Sequence, residues 1–198
     1  MSGKPQYDED AVINAAIGVF WRHGYANASI SDLMVATGLS RSSLYQRFGD
    51  KSGLFKESLE RYVDRVLTRM RATQTESSRA SIVALLREFL PKGADLSLPL
   101  GCLLSRSNAE QIDLTPEGKV IANAGVCKQR QIILDILTQG QLAGEIGQHA
   151  DLEVLAWYYF GILQAIVNLP VIGATSQALD QVIDLAMLAW PKPDEVDN

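Results

Sequence analysis

Residues 24–55 read GYANASISDLMVATGLSRSSLYQRFGDKSGLF. Two short runs with helical spacing lie inside this stretch, separated by one glycine. Ser29 followed by Asp32 has the spacing of a capping box, in which a hydroxyl and a carboxylate satisfy each other's backbone donors. It predicts a helix over 30–37 with Ile30, Leu33 and Met34 facing inward. Gly38 ends that helix, Ser40 caps a second one running to about Phe48, and Gly49-Asp50 is a turn signal. Two short helices joined by a glycine-containing turn are the plan of a helix-turn-helix. In that plan the first helix braces the second, which lies in the major groove of DNA. Leu33, Leu39 and Leu44 supply apolar contacts for the pair. The second helix displays Ser40, Arg41, Ser42, Ser43, Tyr45, Gln46 and Arg47, a surface dense in hydrogen-bonding groups.

Helical periodicity continues on both sides. Val12, Ala15, Ala16, Val19 and Phe20 form one face of a helix that starts near Tyr7 or Asp8, where acidic residues suit the positive end of its dipole. It stops at Gly24, after Arg22 and His23. From Lys51 to about residue 72 a long helix carries the stripe Leu59, Tyr62, Val63, Val66, Leu67 and Met70, and the stretch Thr73 to Ser78 is polar. Further helices are expected near 79–90, 100–111, 116–140, 149–170 and 176–190. Pro91, Gly93 and Pro99 mark a loop, Thr115-Pro116-Glu117 a helix start, and Gly140, Gly144, Gly147 and Gly173 later breaks. The acidic, proline-containing tail from Pro191 to Asn198 is expected to be disordered. No strand-like alternation of useful length occurs. The expected fold is all-α, with a small N-terminal three-helix domain that carries the helix-turn-helix for DNA binding (1–50, the start of helix 51–72 packed on it) and a larger C-terminal helical domain (51–198).

Composition narrows the function. Nearly half of the 198 residues are hydrophobic, enough for a core without disulfide or metal staples. Cys102 and Cys127 have no metal-site spacing, so neither a metal nor another cofactor is expected. His23 and His149 belong to no catalytic motif, and acid pairs such as Glu57/Glu60 and Asp151/Glu153 look like solvated helix surface, so no enzyme is expected. Met1 to Asp10 lacks the apolar core of a signal peptide, and the apolar stretch Val154 to Leu163 is too short to span a bilayer. The expectation is a soluble cytoplasmic protein without membrane contact. The net charge of −5 is unevenly spread: residues 20–71 hold nine Lys and Arg against five Asp and Glu, and residues 72–198 eight against fifteen. A basic module can still bind phosphates locally, because distant charges are screened.

The segment from Gly24 to Phe55 resembles the DNA-binding domain of the TetR family of regulators. The residues that carry the resemblance are Gly24-Tyr25, Ser29-Ile30, Gly38-Leu39-Ser40, Ser43-Leu44-Tyr45, Phe48, Lys51 and Leu54-Phe55, and it covers roughly residues 8–60. Met34, Ser42 and Arg47 depart from the residues common there (Ala, Gly and His). The resemblance implies phosphate contacts from Ser43, Tyr45 and Lys51, with Arg47 a fourth. It implies base readout by Arg41 and Gln46, with Ser40 and Ser42 assisting, and Ser29 joins this DNA-binding set. Arginine suits guanine and glutamine suits adenine in the major groove.

The resemblance further implies a ligand-responsive repressor that binds a palindromic double-stranded operator as a homodimer and is released by a small-molecule effector. Residues 152–169, LEVLAWYYFGILQAIVNL, are apolar on nearly every side, more than a surface helix can hide in its own subunit. The expected interface comprises Leu155, Tyr159, Ile162, Leu163 and Ile166 with Leu179, Val182, Ile183, Ala186 and Trp190; the alternative is that both helices complete the subunit's own core. Candidate pocket residues are Cys102, Asn108, Asn123, Cys127, Trp157, Tyr158 and Gln164, and the acidic balance favours a neutral or cationic ligand. Arg106, one turn after Cys102, could raise its thiolate fraction, which makes a thiol-based redox or electrophile sensor of the same fold an alternative; a small buried hydrophobe is the other reading of that cysteine. A helical scaffold without DNA binding would explain the helices but not the cluster from Arg41 to Arg47.

Overall fold

The computed structural model describes residues 7–91 and 99–193. Within them the chain is all helical, with no strand. Helices α1 (Glu9–Asn27), α2 (Ile30–Thr37), α3 (Arg41–Phe48) and α4 (Lys51–Arg71) are followed by α5 (Ser78–Glu88), α6 (Leu103–Ala109), α7 (Pro116–Leu142), α8 (Leu152–Asn168) and α9 (Ser176–Ala186). Short 3-10 turns follow α6, α8 and α9. The expected loop residue Gly93 and the tail beyond 193 lie outside the described residues.

The chain divides into two compact units. One takes residues 1–65 and 97–125, the other 66–96 and 126–198, each over its described residues. The division therefore does not fall at 50/51 as the sequence suggested. Helix α6 packs on α1 and Arg106 donates to the Arg22 carbonyl oxygen at 3.2 Å, which draws residues far along the chain into the first unit.

In that unit, Val12, Ile13, Ala16, Ile17, Val19 and Phe20 of α1 are buried with Leu33, Leu44, Phe48, Leu54, Phe55 and Leu59. Phe55 meets Phe20 edge-on, with centroids 5.0 Å apart, and Tyr25 at 4.8 Å. The expected start of α1 is correct to a residue, since Asp8 caps it by accepting from the N–H groups of Asp10 and Ala11. The expected stop at Gly24 is a break rather than an end: Gly24 has φ 77° and ψ 172°, and helix resumes to Asn27. That backbone region is open almost only to glycine. The stripe expected on α4 is buried throughout, from Leu59 to Met70.

The second unit buries Ile82, Leu85 and Leu86 of α5, Ile133, Ile136 and Leu137 of α7, and the inner faces of α8 and α9. The start of α5 is capped from a distance. Glu145 accepts from the N–H groups of Ser78 (3.0 Å) and Arg79 (3.2 Å) and from the Ser77 hydroxyl (3.0 Å). Burial pushes its carboxyl up, but the three donors together hold it below its ordinary value.

One expectation about length is corrected here. Helix α8 runs on without interruption through its 3-10 turn, so the apolar helical run Leu152–Ile172 has 21 residues and is long enough to cross a membrane by length and composition. Ala156, Tyr159, Phe160, Leu163 and Ile166 on one side of it are buried in the second unit, where it packs against α5 and α9.

Candidate nucleic-acid interface

The helix-turn-helix forms inside the first unit, and its caps are those the sequence calls for. Ser29 Oγ accepts from the Asp32 N–H at 3.1 Å, while the Ser29 N–H and hydroxyl donate to the Asp32 carboxylate at 3.0 and 2.6 Å. The Ser29 hydroxyl holds the Asp32 carboxyl below its ordinary value. Gly38 takes the left-handed conformation at φ 69° and its N–H closes α2 on the Met34 carbonyl. Ser40 caps α3, accepting from the Ser43 N–H at 3.1 Å, and its hydroxyl lies 2.9 Å from those of Ser42 and Ser43.

Two buried side chains one turn apart, Leu44 and Phe48, anchor α3. Its other face therefore points outward: Arg41, Ser42, Tyr45 and Gln46 are exposed and Ser43 is half-buried. The Arg41 guanidinium lies 5.9 Å from the centre of the Tyr45 ring. This row offers a guanidinium fork, an amide with both donor and acceptor, and hydroxyls at a helix N-terminus. Those are the groups that read base edges and hold phosphates.

Two residues expected at phosphates are committed elsewhere. The Lys51 ammonium donates to the carbonyl oxygens of Tyr25 (2.9 Å), Ala28 (3.1 Å) and Ala26 (3.3 Å), and sits 4.6 Å from the Tyr25 ring centre. An ammonium has three donors, so all are used in closing the end of α1. Arg47 is half-buried and pairs with Glu57, Nη1 to Oε1 and Nη2 to Oε2 both at 3.0 Å, and with Glu9. Hydrogen bonds to Glu9 and then Glu57 raise the Arg47 pKa, and the same bond from Arg47 lowers that of Glu9. The reason neither role was legible is distance along the chain, since no local spacing ties Arg47 to a residue 38 positions away. Glu57 is correspondingly not a solvated surface acid. Asp151 caps α8 and Glu153 pairs with Arg130.

This arrangement has close counterparts. Residues 12–58 match the family model for bacterial regulatory proteins of the tetR family. Over 96% of its length the chain is 31% identical to the HTH-type transcriptional repressor ComR of Escherichia coli (strain K12), covering 92% of that protein. The chain belongs to the TetR family. It is 26% identical to the HTH-type transcriptional repressor AcnR of Corynebacterium efficiens, with 96% of each chain covered. Among solved structures, a cysteine-substituted TetR family regulator CifR in complex with 26-base-pair double-strand operator DNA superimposes with a TM-score of 0.82 at 27% identity, covering 96% of this chain and all of that one.

In this TetR-family chain the remaining expected site residues are placed less simply. Six of the ten interface candidates, Tyr159, Leu163, Ile166, Leu179, Ile183 and Ala186, are buried inside the second unit. They are corrected to core residues, because a side chain already enclosed has no surface to offer a partner. Burial pushes the Tyr159 phenol up to about 12. Leu155, Ile162, Val182 and Trp190 are half-buried. The apolar groups left outside are others: Val154, Trp157, Tyr158 and Gly161 on one side of α8, and Leu185 on α9. Leu188 in the turn that follows is 79% exposed.

The candidate pocket residues do not gather in one unit: Cys102, Asn108 and Asn123 belong to the first, Cys127, Trp157, Tyr158 and Gln164 to the second. Asn108 donates to the Leu104 and Ala122 carbonyls, and Gln111 donates to the side-chain oxygens of both Asn108 and Asn123. Trp157, Tyr158, Asn123 and Cys127 are exposed, and the Arg130 guanidinium lies 5.1 Å from the Trp157 ring centre. Half-buried Gln164 accepts from Asn168 through its carbonyl at 2.9 Å. Cys102 is buried and its Sγ accepts from the Tyr62 hydroxyl at 3.4 Å. The Arg106 guanidinium, one turn on, is turned to Glu110 at 2.8 Å and to the Arg22 carbonyl.

Proposed function

We propose that the chain is a cytoplasmic, ligand-responsive transcriptional repressor that binds a palindromic operator as a homodimer and is released by a small-molecule effector. The observation that carries this reading is the outward row Arg41, Ser42, Tyr45 and Gln46 on a short helix whose opposite face is anchored by Leu44 and Phe48. Gln46 and Arg41 read bases, and Ser43 and Tyr45 meet phosphates on either flank. The similar CifR regulator is in complex with double-strand operator DNA, which supports an operator as the partner. A second copy covers the exposed apolar stripe of α8 together with Leu185 of α9, since apolar groups gain from leaving water. The two recognition helices of a dimer then lie about one DNA turn apart, roughly 34 Å. The effector acts only through its preference for a state with another spacing, and operator DNA weakens effector binding by the same factor.

Selection of duplexes from a random pool by the full chain, followed by sequencing, tests this reading. A palindrome is the expected result. A folded chain that enriches no motif at low salt overturns it.

A further inference from the structure

We propose that Arg47 is a positioning residue that sets the roll of the recognition helix, so that operator recognition depends on two acidic side chains, Glu57 and Glu9, that do not meet DNA. The proposal rests on the operator-binding reading of α3 given above. At eight residues, α3 is below the length at which an isolated helix holds itself together. Its orientation comes from its anchors. Leu44 and Phe48 lie four apart, on one line along the helix, and such a line fixes where the helix sits while leaving rotation about that line free. Arg47 stands off the line. At about 100° per residue it projects to one side of Phe48, and Tyr45 projects to the other.

The guanidinium is a planar fork with donors in fixed directions, so a two-pronged pair with a carboxylate restricts rotation as well as distance. Here the fork meets both oxygens of Glu57 on α4, Nη2 also reaches Glu9 on α1, and the guanidinium carbon lies 4.7 Å from the Phe48 ring centre. The three side chains are each about one-third exposed. Pairs at that exposure add little net stability, which separates orientation from stability as the thing they provide. The carboxylates themselves stand on a prepared frame. Farther along the same two helices Arg61 pairs with Asp10 and Arg65 donates to the Asn14 side chain, joining α4 to α1. Glu57, Arg61 and Arg65 are spaced by four, so they share one edge of α4. Arg47 thus ties the C-terminal end of α3 to a pair of helices already locked to one another.

Electrostatics alone and positioning predict opposite signs. Removing acidic charge from a DNA-binding module strengthens its attraction for phosphates. If Glu57 and Glu9 act through Arg47, their removal instead weakens specific binding.

The test uses the full chain, a palindromic duplex obtained by selection and a random duplex of equal length, with affinities measured by fluorescence anisotropy at two salt concentrations. Glu57→Gln, Glu9→Gln/Glu57→Gln, Arg47→Lys and Arg47→Gln are compared with the wild type. The expected result is a roughly three- to tenfold loss of operator affinity in the double glutamine variant. Its binding to random duplex is unchanged or tighter. Arg47→Lys also loses operator affinity, because an ammonium keeps the charge without the fork. If the Glu9→Gln/Glu57→Gln variant binds operator as well as or better than the wild type, the proposal is overturned. It is equally overturned if Arg47→Gln weakens both duplexes by one factor and the salt slope falls by about one, the signature of a phosphate contact. Should the Arg47 variants not fold, Glu57→Gln, which keeps the shape of the side chain, carries the test by the same comparison. A wild-type chain that selects no palindrome overturns the operator-binding reading and this role with it; variants indistinguishable from wild type overturn this role alone.

Discussion

Helix α3 and helix α8 present their outward faces in opposite chemistry. On α3 the exposed residues are polar and the anchors apolar, so Arg41, Ser42 and Gln46 differ in kind from Leu44 and Phe48. On α8 most of the exposed residues, Val154, Trp157, Tyr158 and Gly161, are as apolar as the buried ones, and on α9 Leu185 stands exposed among polar neighbours. Ile183 is fully enclosed, whereas Leu185, two positions on, is 66% exposed. A polar working surface declares itself by residue type. An apolar working surface is made of the same residues as the core behind it, and only packing tells them apart.

The largest effects expected come from that pair of neighbours on α9. Ile183→Asp places a carboxyl in the core of the second unit, a burial that costs several kcal/mol whether the group is kept charged or forced neutral. It is expected to abolish cooperative unfolding. Leu185→Asp is expected to keep wild-type helicity and a cooperative, somewhat lower melting transition, while shifting the proposed dimer to monomer in sedimentation velocity. Equal behaviour of the two variants in both measurements breaks the comparison.

In the first unit the corresponding sensitivity lies in the backbone. Gly24 at φ 77° admits no Cβ comfortably, and an added one would also press within 2.2 Å of the Glu110 carboxylate. Gly24→Ala is expected to cost about 1–3 kcal/mol in denaturant unfolding. Adding Glu110→Ala should recover only the contact and not the backbone strain. A double variant as stable as wild type would place the whole cost in the contact.

Gln46→Ala removes a group from the outward face of α3 and nothing from its anchors. Stability is expected to be unchanged, while the selected motif loses discrimination at one base position worth about 1–3 kcal/mol. A motif that is unaltered removes Gln46 from base readout.

The smallest effect sharpens the contrast from the other side, because the polar cap on α5 in the second unit is purely structural. Glu145→Gln is expected to lower stability by about 1 kcal/mol at neutral pH. Since the Glu145 carboxyl is held below its ordinary value near 4.5, its contribution is full above that pH and is lost as pH falls through its lowered folded-state value. The two unfolding curves should therefore converge in acid and separate above it. A difference that stays constant with pH would mean the charge is immaterial.

Local chemistry was well legible. The capping box at Ser29, the left-handed Gly38, the cap at Ser40 and the stripe on α4 stand where their spacing put them. Helix bounds at α6 and α9 were too generous: α6 begins only after Cys102, beyond the left-handed Gly101, and α9 ends in a 3-10 turn that keeps the helical pattern without the helical bonds. The expectation of phosphate contacts from Arg47 and Lys51 did not foresee their partners within the chain, for the same reason that Trp157 and Tyr158 were expected in a pocket. A charge or an aromatic ring advertises a capability, and its partner decides the use. The Lys51 partners are carbonyls from the end of α1, and nothing near Lys51 in the chain signals them.

The sequence by itself determined that this chain is helical, where α2 and α3 begin and end, and which face of α3 is displayed, because caps, turns and amphipathic stripes are interactions between residues three or four apart. Tertiary structure alone decided that Arg47 meets Glu9 and Glu57, that Lys51 meets the end of α1, that 99–125 joins the unit of the helix-turn-helix, and which apolar residues of α8 and α9 remain outside. Those outcomes depend on which distant surfaces meet, and burial is a property of the meeting rather than of either residue.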